Sequence, residues 1–140
     1  MTTLYNHKDV LTYFNDQNNV DYVNMIKYDK HKHKYHLLGD LIITDTNSVT
    51  IQLNECQVFD GHGHIITHNL DKDGLFISQS TQMTTVKNLV VLYKSLSNVL
   101  GGCGGIFAQN SVNFNVIHCK NLSLINQYCG GICGQNCSNF

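Results

Sequence analysis

The chain has 140 residues, enough for one domain with a sizeable core, and contains no Pro, no Trp and no Arg, all nine basic residues being Lys. Ten carboxylates leave a formal charge of −1, a balance that recommends neither nucleic acid nor an anionic membrane surface as partner. Every carboxylate lies at or before Asp73, so six Lys against ten carboxylates give the first part −4, while Lys87, Lys94 and Lys120 give the remainder +3.

The opening "MTTLYNHKDV" lacks the basic start and apolar run of an export signal. No window reaches the roughly 18 to 20 continuous apolar residues of a membrane span. In a reducing compartment the six cysteines stay as thiols, which pack like small apolar side chains.

Residues 1–36 read as a lead-in and cap. Within them "NHKDVLTYFN" (6–15) predicts a short helix, with Asn6 as N-cap, Asp9 in the first turn, and Val10, Leu11 and Phe14 on one apolar face. "NDQNN" ends it. Residues 20–28 carry both strand and helix patterns, the strand being the better match, and "DKHKHKY" reads as a polar loop. From Leu37 the chain turns to short β segments, beginning with "LIIT" (41–44) and "VTIQLN" (49–54). In the latter, Val49, Ile51 and Leu53 alternate with Thr50, Gln52 and Asn54, the period-2 signature of a half-buried strand. "HIIT" (64–67), "GLFIS" (74–78), "LVVLY" (89–93), "VNFNVI" (112–117) and "LSLI" (122–125) continue the series, separated by Gly-, Asn- and Ser-rich corners.

One segment returns. "CGGIFAQNSVNF" (103–114) and "CGGICGQNCSNF" (129–140) agree at eight of twelve positions, 26 residues apart. Identical residues at identical phase are expected where strands stack in successive turns about 4.8 Å apart. The pattern therefore predicts a solenoid over 37–140. Gly104, Gly105, Gly130 and Gly131 supply sharp corners, and Gln109 over Gln135 and Asn110 over Asn136 form amide ladders. The Leu-dense consensus of leucine-rich repeats is absent.

"GGIFAQN" and "GGICGQN" resemble the Gly-Gly-apolar-x-Gly-x-Asn pattern of GLUG-type repeats. "VFDGHGHIITH" (58–68) resembles the Phe-Asp-Gly-x-Gly-His-x-Ile segment of right-handed parallel β-helix proteins of the pectin-lyase-like group. The resemblance implies an all-β solenoid, a short right-handed parallel β-helix of about four rungs with an N-terminal helical cap. The Asn- and Lys-rich, Arg-free composition is similar to that of repeat proteins of large DNA viruses, which implies the cytoplasm or a virion. The fold class serves enzymes, adhesins and fibres alike.

Asp60 is the carboxylate most suited to catalysis, but a glycosidase needs two carboxylates flanking the bond, and the repeat half supplies none. The better reading makes Asp60 a corner cap with Gly61 and Gly63 as its flexible partners. His31, His33 and His36 form one histidine cluster and His62, His64 and His68 another. At i and i+2 on a strand, His31/His33 or His62/His64 share a face. Interleaved Lys residues repel a cation in the first cluster, and no acidic or Cys partner stands at a matching position, so no metal ligand is assigned. Cys129, Cys133 and Cys137 lack CxxC-like spacing and read as buried thiols. "GGCGG" (101–105) lacks the Lys-Ser/Thr and the helix of a phosphate loop.

These readings together predict a non-catalytic structural or adhesive repeat module of a viral particle or surface fibre, without cofactor. Its partners are further copies or further repeats at an uncovered C-terminal rung. The alternative is a carbohydrate-binding or carbohydrate-active protein.

Overall fold

Short runs rich in Ile, Val, Phe and Tyr, too short for helices and interrupted by Gly, Asn and His, give twelve strands among the described residues of the computed structural model. Residues 8–10, 24–43, 51–54, 56–68, 75–93, 105–108, 110–122, 132–133 and 137–140 are described. The strands are β1 (Lys8–Asp9), β2 (Ile26–Asp29), β3 (Lys34–Leu37), β4 (Leu41–Ile43), β5 (Ile51–Leu53) and β6 (Val58–Asp60). The second half adds β7 (Ile65–His68), β8 (Phe76–Ser78), β9 (Thr84–Lys87), β10 (Val90–Tyr93), β11 (Phe114–Ile117) and β12 (Lys120–Asn121).

They form three sheets, ordered β1-β5-β8, β12-β10-β7-β4 and β11-β9-β6-β3-β2. Among the described residues all strand pairings are parallel except β2 with β3. From β3 to β10 consecutive strands visit the five-, four- and three-stranded sheets in turn. Isolated parallel bridges link Phe76 to Phe107, Phe107 to Cys133 and Val112 to Ser138. Among the described residues no helix is long and apolar enough to cross a membrane.

The expected all-β solenoid, a short right-handed parallel β-helix under a helical cap, is corrected here. The fold is β-rich, its sheets are parallel and mixed, and no helical cap is seen among the described residues. Lys8 and Asp9, expected within a helix over 6–15 with Asp9 in its first turn, pair instead with Ile51 and Gln52 of β5. The edge of β5 offers ready hydrogen-bond partners, whereas the first turn of a short helix leaves its N–H groups unsatisfied. Val10 is fully buried; the other positions of the expected helix, 6–7 and 11–15, lie outside the described residues. The antiparallel β2–β3 hairpin closes over Asp29, whose Oδ1 accepts hydrogen bonds from the backbone N–H groups of His31 and Lys32.

Period-2 alternation places one core between the sheets. Ile51 and Leu53 are buried around half-buried Gln52, and Leu41 and Ile43 are buried around exposed Ile42. Phe59, Phe76, Phe107 and Phe114 are fully buried. Their rings follow one another at 5.0, 6.2 and 4.1 Å between centroids. Each fully buried Phe contributes about 1.5 to 3 kcal/mol of apolar burial. Buried hydroxyls pair among themselves, Thr84 Oγ1 with Ser78 Oγ at 3.0 Å, as buried polar groups must.

Candidate functional site

The corner after β6 gathers the polar chemistry of the molecule. In the parallel register Lys34 lies opposite Val58, Tyr35 opposite Phe59 and His36 opposite Asp60. Tyr35 and Leu37 point into the core, so Lys34 and His36 share the other face of β3. Asp60, itself buried, ends β6, and the chain then turns through His62 in the left-handed region (φ 49°). Gly61 is required at this turn, because a Cβ there would lie 2.6 Å from the Asn88 carbonyl oxygen and 2.8 Å from Leu89 Cα. Gly63 has φ +81° with open space around it.

Asp60 is saturated. Its Oδ1 accepts from the His62 backbone N–H at 3.0 Å and from Asn88 Nδ2 at 3.1 Å. Its Oδ2 lies 3.0 Å from Lys34 Nζ and 3.8 Å from His62 Nε2. Burial works against the charge, but the His62 N–H, the Lys34 ammonium and the Asn88 amide outweigh it and hold the carboxyl down at about 2. Such a group is ionised near neutrality and stands as an acceptor of hydrogen bonds.

Above the carboxylate, His36 Nδ1 and His62 Nε2 are 2.6 Å apart. The ring centres are separated by 4.9 Å with 15° between planes. With the nitrogens so close, that separation means the imidazoles meet edge to edge, nearly in one plane, rather than face to face. One ring donates and the other accepts. Burial, then the charges of Lys34 and His62, lower the His36 pKa, with Asp60 and Asp29 opposing. One ligand atom each from His36, Asp60 and His62 lies within 4.8 Å of the others.

An open cavity of about 470 Å³ adjoins this cluster, lined by His62, Gly63, Asn88, Val90, His118 and Lys120. His62, Asn88 and His118 occupy successive corners between the five- and four-stranded sheets, and all three are left-handed, at φ 49°, 54° and 51°. A second line of corners carries cross-strand pairs: Cys56 Sγ with Gln82 Oε1, and Asn113 with Asn139, whose amides meet at 2.5 Å.

Of the residues singled out in sequence, Asp60, Gly61 and Gly63 share this corner. Gly105 is buried and Asn110 is exposed with φ 64°. Gly104, Gln109, Gly130, Gly131, Gln135 and Asn136 lie outside the described residues, as do Cys103 and Cys129. Ile106 and Ile132 are neighbours through the Ile106 N–H to Ile132 carbonyl bond of 3.2 Å; Ile106 is buried, Ile132 exposed. Cys133 and Cys137, expected as free thiols, are joined in a disulfide. Cys119 remains a half-buried thiol, its pKa raised chiefly by burial.

Sequence reading paired histidines within each cluster and missed the pairing of His36 with His62 across clusters. The signal was present. His36 and His62 are 26 residues apart, the same interval that separates the two copies of the repeat. Comparison with known protein families, with curated proteins and with solved structures finds no match.

Proposed function

We propose that the chain is a non-catalytic structural or adhesive module, serving in a larger assembly such as a viral particle or surface fibre. One observation carries this reading: polar side chains are engaged along the stack, strand to strand. His36–His62, Cys56–Gln82 and Asn113–Asn139 each span 26 residues, and the Lys34–Asp60 ion pair has the same separation. Side chains tied to their equivalents hold neighbouring strands in register. The viral assignment draws on the Arg-free, Asn-rich composition. Among the described residues, large apolar side chains are exposed both early, at Leu38 and Ile42, and late, at Ile117, Leu122, Ile132 and Phe140, and such surface favours self-association as the mode of assembly.

The experiment combines light scattering with turnover assays on neutral polysaccharides and polygalacturonate. Concentration-dependent association without turnover is the expected result. Turnover that Asp60→Asn abolishes in a folded chain replaces this reading with a carbohydrate-active one.

A second reading, carbohydrate binding, is favoured by the cavity at His62, Asn88, His118 and Lys120. Two imidazoles, an amide and an ammonium suit a small polar ligand bearing a carboxylate, such as a uronic acid. Galacturonate titrated by calorimetry against wild type and Lys120→Met tests it. Saturable binding weakened by the substitution supports this reading, and equal heats from both chains remove it.

A further inference from the structure

We propose that His36, Asp60 and His62 bind one divalent transition-metal ion. The site goes beyond the structural or adhesive reading and stands or falls independently of it.

Three observations converge. The ligand atoms come from β3 and from the corner after β6, two neighbouring stretches fixed by parallel pairing. Two of the donors, His36 and Asp60, are therefore placed opposite each other by the sheet, and His62 is carried by the turn that follows Asp60. Second, the three ligand atoms lie within 4.8 Å of one another, so small side-chain rotations bring them to one ion. Bonds of about 2.0 to 2.2 Å to His nitrogen and carboxylate oxygen put the ligand atoms of a tetrahedral centre roughly 3.3 Å apart. The His36–His62 separation of 2.6 Å and the His62–Asp60 separation of 3.8 Å fall on either side of that value. The His62 side chain is 44 % exposed, and turning its lone pair from His36 toward a shared ion brings both separations to that value. Third, Asp60 already binds a cation, the Lys34 ammonium at 3.0 Å. Lys34 has a long flexible stem with which to withdraw to solvent when a more highly charged ion arrives.

Two imidazoles and one carboxylate select the class of ion. Nitrogen donors favour Zn²⁺, Ni²⁺, Co²⁺ or Cu²⁺ over Mg²⁺ and Ca²⁺, which prefer all-oxygen sets. Three protein ligands leave a coordination position to fill, and His62 also lines the open cavity, so that position faces a space where water or a small ligand fits.

The test uses the full chain stripped with chelator and titrated by calorimetry with Zn²⁺ alone. Co²⁺ with visible absorption serves as a second probe. The expected result is one saturable equivalent per chain. His36→Gln and His62→Gln should each weaken binding by roughly tenfold or more, while His31→Gln and His33→Gln, in the exposed β2–β3 turn, leave it unchanged. Lys34→Met should tighten binding by roughly threefold or more, because it releases Asp60 Oδ2 and removes a competing charge. Circular dichroism establishes that each variant is folded. Should His36→Gln fail to fold, His62→Gln at the more exposed position and Lys34→Met, which reads a gain, carry the test. Absence of saturable one-to-one binding overturns the assignment. So does binding that folded His62→Gln retains, or that Lys34→Met does not tighten.

Discussion

Two glycines separated by a single residue, and the carboxylate before them, show how differently neighbouring residues constrain the same corner. Asp60→Asn keeps an oxygen for the His62 N–H but removes the charge that faces Lys34 Nζ at 3.0 Å. Hydrogen bonds to ionised groups contribute about 1.5 to 3 kcal/mol, so the substitution should lower stability by about 2 kcal/mol in urea denaturation. An unchanged midpoint would mean that Lys34 finds an equal partner elsewhere. Gly61→Ala should be as damaging or more. Its Cβ would meet the backbone atoms Asn88 O and Leu89 Cα at 2.6 and 2.8 Å, and backbone cannot swing aside as a side chain can, so a loss of about 3 kcal/mol follows. At Gly63 the space is open and only the φ of +81° resists a side chain, so Gly63→Ala should cost about 1 kcal/mol. Equal losses at the two positions would refute this division between crowding and backbone conformation.

Strands differ in how visibly they announce themselves. β5 was legible because Ile51 and Leu53 flank Gln52 in plain alternation, and both are buried. β3 was only half legible: Leu37 opens the β segments, but Lys34 and Tyr35 fall in "DKHKHKY", which reads as a polar loop. Yet it is held between β2 and β6, and pairing on both sides overrides weak local preference. The site was hidden for a related reason. Face-sharing at i and i+2 is a property of one strand, whereas His36 meets His62 only through the parallel register of β3 on β6. Local pattern carries the first and says nothing of the second; only the 26-residue interval, read from the repeat and extended backwards, connects them. The phenylalanine series gives this scale its prediction. Phe107 is fully buried between Phe76 and Phe114, so Phe107→Ala should remove about 3 to 5 kcal/mol. Phe140 stacks on Phe114 at 5.1 Å but stays 70 % exposed, and Phe140→Ala should cost about 1 kcal/mol or less. Thermal melts of the two variants test the ordering, and a larger effect at Phe140 would show that the outer ring is covered in solution.

At the scale of the whole molecule, stability should depend on pH through a histidine remote from the candidate metal site. His68 ends β7, a strand paired on both sides, and lies opposite Ile43 of β4 and Tyr93 of β10. It is 1 % exposed, and burial alone pushes its pKa from 6.5 down to about 4. The unfolded chain therefore takes up a proton at His68 before the folded chain does. Stability from this group is complete above the unfolded pKa of 6.5 and is lost as pH falls through 4. Integrated over that interval the loss amounts to about 3 kcal/mol. His36, whose pKa is also lowered, acts in the same sense, while Asp60, held at about 2, adds its own loss only below the range where His68 has already titrated. Urea midpoints measured between pH 8 and pH 4 should thus be level at first and then decline below pH 6.5. His68→Gln should flatten most of that decline, whatever it does to stability at pH 8, because the slope counts protons rather than contacts. A wild-type chain whose midpoint stays level to pH 4 would show that His68 is protonated inside the fold, and with it that the β7 strand is far more open to water than its neighbours imply.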